Sequence, residues 1–240
     1  MQNSLRKTAL VTGAARRLGR EIALTLAGAG MHVAITYRNS AKEAEQTVAE
    51  MRSLNVESFA TLMDVRSEAS VKAAVGAVLD RVGRLDVLVN NAAVFESAPL
   101  SQITLEQWDD VFATNARGPF LVAREALLAL KAAEGRIVNL GSLGGSHPWP
   151  SHGHYCASKA ALEMLTKVMA RSFAPEVSVN CVAPGFIAFD EDAQAAHFAA
   201  KTPMGRNGSA QDVAEAVRFF ATGPHFITGQ VLTVDGGLGL

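Results

Sequence analysis

The sequence predicts a doubly wound α/β domain, a single parallel sheet of seven strands with helices on both faces. Three observations lead there. Seven short apolar runs alternate with longer segments whose apolar residues recur at three- and four-residue spacing. The first run passes directly into a glycine-containing turn and a helical stretch, "VTGAARRLGR". With 240 residues, 49% of them hydrophobic, and no linker, repeat or low-complexity tract, the chain can bury one large core. Residues 1–240 therefore read as one domain.

In chain order the expected strands are "TALVT", "HVAITY", "FATLMDV", "LDVLVNN", "GRIVNLGS", "VSVNCVAPG" and "QVLTVDGG". Segments such as 41–54 and 71–82, with Ala, Val, Met and Leu on one face and charges between, are the crossover helices. The least regular piece, about 186–209, is acidic at "DED" and ends in "TPMGRNGS". It is expected to be a mobile cover, because ligands of open α/β sheets bind beyond the carboxyl ends of the strands.

Charge and cysteine usage exclude several classes of function. Lys plus Arg number 22 against 23 Asp plus Glu, so no global field attracts nucleic acid or an anionic membrane. No apolar run approaches the ~20 residues of a membrane helix, and the start "MQNSLRKTAL" lacks a secretory core. Cys156 and Cys181 form no CxxC pair. A soluble cytoplasmic protein with a small-molecule substrate is the expectation.

In the opening turn, Gly13 permits the bend after the first strand, and Gly19 allows close packing of the helix. The helix amides then face a pyrophosphate. After the second strand stand Tyr37, Arg38, Asn39 and Ser40, where a binder of NAD would carry a carboxylate for the ribose. Arg38 and Ser40, with Arg16, suit a 2′-phosphate instead, so NADPH/NADP is the expected cofactor.

Farther on, "NLGS" ends the fifth strand and "YCASK" begins a helix. Tyr155 and Lys159, four residues apart, share one face, so a cation near the phenol should ease proton movement at neutral pH. Ser142 is placed to hydrogen-bond a substrate carbonyl. His147, His152 and His154 crowd "GSHPWPSHGHY", but no acidic or thiolate partner has ligand spacing, so the loop reads as a substrate wall rather than a metal site.

Taken together, "TGAARRLGR", "DVLVNNAA", "TNARGPF", "NLGS", "YCASK", "VAPG" and "ITGQVLTVDGG", in this order, resemble the short-chain dehydrogenase/reductases from end to end. The resemblance implies a Rossmann-type fold, hydride transfer from a nicotinamide, Tyr155 as proton donor, Ser142 orienting the carbonyl, and Lys159 holding the nicotinamide ribose. It implies that Asn115 bends a helix and serves a proton relay. It places Asp64 and Val65 beside adenine and Asn91 and Ala92 beside the adenosine ribose. Leu18, Pro184, Gly185 and Ile187 become further cofactor contacts, and a homotetramer is implied.

Within that family the turn looks most like the pteridine reductases, in which an arginine, here Arg17, replaces the middle glycine and touches cofactor phosphate and pterin. Phe95 falls where those enzymes stack a phenylalanine on the pterin ring. Phe189 stands where many members carry a threonine. Ser142, by contrast, stands where the best-known pteridine reductases place an aspartate, and the C-terminal half agrees with 3-oxoacyl carrier-protein reductases. Pterin and ketone or acyl-thioester substrates both remain open, as does a non-catalytic nucleotide sensor, which would not need Ser142, Tyr155, Lys159 and Asn115 together.

Overall fold

The computed structural model describes residues 6–189 and 193–240. Its seven strands are β1 (Thr8–Val11), β2 (His32–Tyr37), β3 (Ser58–Leu62), β4 (Val87–Asn90), β5 (Arg136–Leu140), β6 (Ser178–Pro184) and β7 (Val231–Val234). All pair in parallel in the order β3-β2-β1-β4-β5-β6-β7. The helices are α1 (Arg17–Gly28), α2 (Ala41–Ser53), α3 (Glu68–Val82), α4 (Leu105–Phe112), α5 (Gly118–Ala132), α6 (Gly153–Phe173), α7 (Ala195–Lys201) and α8 (Ala210–Thr222).

The period-two geometry of a strand divides the apolar residues between two cores. Ala9, Val11, Val87, Val89, Val138 and Leu140 face one side, where they meet Ile22 and Leu26 of α1, Met51 of α2 and Val217 of α8. Leu10, Leu88 and Ile137 face the other, against Val75 and Val78 of α3, Val122 and Leu130 of α5 and Met169 of α6. Because both faces are covered, the central strands are apolar almost throughout, and period alone cannot mark their ends.

For that reason the strands stop earlier than the sequence pattern suggests. Asp64, Asn91, Ser142 and Gly185 fall within the apolar runs expected as strands, and each lies just beyond the last ladder position. At the point where strand order reverses, between β1 and β4, these strand ends open a crevice.

The described residues of the 186–209 segment include regular structure that the sequence pattern does not announce. The segment contains α7, and its ends are joined by a bridge between Ile187 and Gly208, with Ala188 N donating to Gly208 O at 3.1 Å and Gly208 N to Phe186 O at 3.1 Å. Phe186 stacks on Phe198 of α7 with centroids 4.1 Å apart. The acidic "DED", residues 190–192, lies outside the described residues.

Candidate active site

The turn after β1 is built for close approach. Gly13 has φ +62°, and a Cβ there would sit 2.9 Å from Ala92 Cα. At Gly19 an added Cβ would lie 2.5 Å from Asn91 Nδ2 and 2.6 Å from Gly13 O. The tight contact of Gly19 is thus with the turn itself and the loop after β4. Asn91 Nδ2 donates to Thr12 O at 2.9 Å and to Gly13 O at 3.0 Å, and Thr12 Oγ1 accepts from the amides of Asn91 and Ala92, both at 3.0 Å. Thr12, unmarked in the sequence reading, therefore stitches the two sides of the crevice together. A hydroxyl directly after a strand and before the turn glycine was the available signal.

Arg17 stands where a glycine would be conformationally comfortable: its φ is +50°, in the left-handed region. Its guanidinium carbon lies 5.5 Å from the Phe189 ring centroid, so the residue replacing the family threonine forms a platform for the turn arginine. Among the described residues Arg16, Arg17 and Arg38 have no carboxylate within ion-pair distance, whereas Arg20, Arg66, Arg84 and Arg124 are paired. Ser40 begins α2 without a side-chain cap bond, and Arg38 and Asn39 are exposed beside it. Tyr37 is half-buried against the first core.

Two expected adenine contacts have other commitments. Arg66 grips the Asp64 carboxylate through Nε at 3.0 Å and Nη2 at 2.7 Å, and also pairs with Asp110. This bonding holds Asp64 below the ordinary carboxylate range. An adenine amino group would compete with Arg66 for those oxygens. The Val65 side chain is buried against Gly118, leaving its backbone as the part that could meet a ligand.

Ser142, Tyr155 and Lys159 gather on one wall of a cleft of about 1120 Å³, together with Leu18, Pro184 and Ile187. Ser142 Oγ lies beside the Tyr155 hydroxyl and accepts from Gly144 N at 3.1 Å. Burial pushes the phenol above its ordinary value, and the Ser142 hydroxyl only partly opposes this.

Lys159 has a backbone partner of its own. Its ammonium donates to Leu140 O at 2.7 Å and lies 5.7 Å from the Tyr155 ring centroid, while burial brings its pKa down to about 8. Helical i,i+4 spacing puts the amine beside the ring, whereas the hydroxyl extends toward Ser142. In this state Tyr155 keeps its proton, as a general acid must.

Asn115 lies in a π-helical turn, Ala113–Arg117, between α4 and α5, consistent with a bent helix. Its side chain grips Val94, accepting from Val94 N at 2.9 Å and donating to Val94 O at 3.0 Å. The second amide hydrogen goes to Ser158 Oγ at 3.1 Å. Both donors are engaged, so the side chain works as a brace for the loop carrying Phe95.

Phe95 itself is 60% exposed at the cleft. It stacks on His152 at 4.6 Å and 13° and meets Tyr155 edge-on at 4.8 Å and 83°. Trp149 lies nearly parallel to Tyr155 at 6.2 Å. The remaining histidines have separate surroundings: His147 Nε2 bonds to Gly239 O at 2.8 Å, and His154 faces Glu96. Among the described residues no group of three His, Cys, Asp or Glu could hold a metal ion.

A glycine turn crowded enough to exclude a Cβ, arginines at the ends of β1 and β2 with no ion pair among the described residues, and a cleft lined by Ser142, Tyr155 and Lys159 together fit a nicotinamide dinucleotide. Comparison with known proteins agrees. Residues 13–239 match the family described as Enoyl-(Acyl carrier protein) reductase. The chain is 40% identical over 240 residues to a 3-oxoacyl-[acyl-carrier-protein] reductase, FabG, of Staphylococcus aureus, covering 97% of this chain and 98% of that protein. The crystal structure of a dehydrogenase/reductase from Sinorhizobium meliloti superposes with a TM-score of 0.93 at 38% identity, over 98% of this chain and 95% of that one. Acetoin dehydrogenase YohF from Salmonella typhimurium gives 0.89 at 31% identity, over 97% and 96%. By its sheet, its crevice and its relatives, this chain belongs to the short-chain dehydrogenase/reductase family of oxidoreductases.

Proposed function

We propose that the protein is an NADPH-dependent reductase of a polarised C=O or C=N bond in a small, flat substrate, with a pterin-type ring as the first reading. The gathering of Ser142, Tyr155 and Lys159 in the same cleft as the Arg17 turn is the observation that carries it. When bound, the dihydronicotinamide supplies a hydride to the electrophilic carbon, and the chain supplies the rest. Ser142 donates to the heteroatom as negative charge develops. Tyr155 delivers the proton that neutralises it. Lys159 would hold the nicotinamide ribose.

Arg38, Ser40 and Arg16 would take the 2′-phosphate, since the end of β2 has no carboxylate and these groups have no competing ion pair among the described residues. The exposed Phe95 ring, edge-on to Tyr155, and the Arg17–Phe189 stack support a planar heteroaromatic substrate.

A second reading, reduction of a 3-oxoacyl thioester, is favoured by the FabG relative and by a serine rather than a carboxylate at position 142. NADPH consumption with dihydropterins, quinonoid compounds, acetoacetyl thioesters and activated diketones separates the two. At least tenfold higher kcat/KM for pterins supports the first reading, and the reverse assigns the second. Tight NADPH binding without turnover of any of them would count against the enzyme reading and favour a nucleotide sensor.

Assembly as a homotetramer is supported by large exposed apolar side chains on the expected contact elements. These are Phe120 and Leu128 on α5, Met164 and Val168 on α6, and Leu240 at the carboxyl end. No helix among the described residues is long and apolar enough to cross a membrane, and Cys156 and Cys181 are both free, which suits a reducing cytoplasm.

A further inference from the structure

Behind the aromatic wall lies a cluster that the proposed chemistry does not use. His154, in the first turn of α6, is fully buried, and neither ring nitrogen has a hydrogen-bond partner. The Glu96 side chain is 41% exposed, but its Oε2 is turned inward, covered and unpartnered, 3.9 Å from His154 Nε2. Buried polar atoms are ordinarily bonded, so three orphans in one place require a reason. A shift of about 1 Å in the Glu96 side chain would bring this pair to hydrogen-bond distance.

The position of the pair supplies the reason. Glu96 follows Phe95, and two histidines separated by Gly153 hold these consecutive residues: His152 stacks on Phe95, and His154 faces Glu96. At Gly153 an added Cβ would lie 2.6 Å from Leu100 Cδ1, so the loop is pressed onto this helix start. Asn115 holds the loop at Val94, and Ser151 O accepts from Ala98 N at 2.9 Å. Of these attachments only Glu96 with His154 joins two ionisable groups, the type of contact with the strongest hydrogen bonds.

We propose that Glu96 and His154 are positioning residues whose contact, closing to a hydrogen bond, clamps the Phe95 ring against Tyr155 and so makes the cleft select flat substrates over open-chain ones. This rests on reading the cleft as a reductase site with Phe95 toward the substrate.

The test compares kcat/KM for isatin, a flat bicyclic diketone, and butane-2,3-dione, an open-chain one. Glu96→Gln and His154→Asn are each expected to lower the isatin value about tenfold, mainly through KM, leaving butanedione within about twofold and NADPH affinity unchanged. Phe95→Ala should produce the same loss, and adding Glu96→Gln to it should produce no more. Equal losses on both substrates, or additive losses in the double variant, overturn the clamp. A crystal structure of Glu96→Gln gives a reading independent of turnover: displacement of the Phe95 ring from Tyr155 supports the proposal, and an unmoved ring defeats it even if neither diketone is reduced.

Discussion

Replacing Arg17 by glycine and, separately, by alanine separates the two consequences of having an arginine in the turn. At φ +50° a residue with a Cβ carries about 1–2 kcal/mol of backbone strain, which glycine relieves. Glycine also gives back about 0.4–1 kcal/mol through the greater freedom of its unfolded chain. Arg17→Gly should therefore be more stable than Arg17→Ala by about 0.5–1 kcal/mol, or about 1–2 °C in melting temperature for a domain of this size. Both variants lose the contact with Phe189 equally, about 0.5–1 kcal/mol, so their difference isolates the backbone. Both also lose one cation for the cofactor phosphate. A charge-assisted bond of about 1.5–3 kcal/mol corresponds to a rise in NADPH Kd of about 10- to 100-fold. Differential scanning calorimetry of the ligand-free protein and fluorescence titration with NADPH measure the two effects. Equal melting temperatures would refute the strain argument, and an unchanged Kd would refute the phosphate contact.

Four further outcomes follow from the same geometry. Tyr155→Phe should lower kcat by about 10²- to 10⁴-fold without altering NADPH affinity, and a variant of undiminished activity would remove Tyr155 from the chemistry. Gly13→Ala, which combines φ +62° with a 2.9 Å approach to the Ala92 backbone, should destabilise the fold by about 2 kcal/mol or more; an unshifted urea midpoint would contradict that packing. Arg38→Asp should reduce the preference for NADPH over NADH by at least about tenfold, and an unaltered ratio of kcat/KM values would disprove the 2′-phosphate assignment. The folded pKa of Lys159, about 8, lies below the ordinary 10.5, so below about 8 both states are protonated and the fold bears the whole desolvation penalty. Between about 8 and 10.5 the unfolded chain binds more protons, and stability should rise with pH by about 1–3 kcal/mol relative to Lys159→Met. Urea unfolding at about pH 7 and about pH 10 reads this, and a constant difference would exclude it.

Much of the site could be read before folding because its chemistry is written in local spacing. Tyr155 and Lys159 lie one helical turn apart, and the Gly13–Gly19 turn follows a strand, so short-range geometry brings their elements into register. Resemblance marks Phe95, but its ring partners His152 and Tyr155 stand more than fifty residues later in the chain. The engagement of Asp64 by Arg66 and the support of Arg17 by Phe189 are likewise side-chain choices that no periodicity encodes. The helix within 186–209 was missed because Gly, Pro and Asn at the segment's far end read as loop, while the apolar anchoring by Phe186 and Phe198 is tertiary.

The order of strands and helices and the two-sided apolar core follow from the chain alone, as does the choice of a phenol, an amine and a hydroxyl for the proposed chemistry, since alternation and residue chemistry are local properties. Which groups those residues face was decided only by packing. Folding turned Lys159 onto the Leu140 carbonyl, set Ser142 beside Tyr155, put Arg17 in a left-handed backbone over Phe189 and turned Glu96 Oε2 toward the buried His154. The strength of a charge or a hydrogen bond depends on burial and on partners distant in sequence, and these exist only once the sheet has brought its strand ends together.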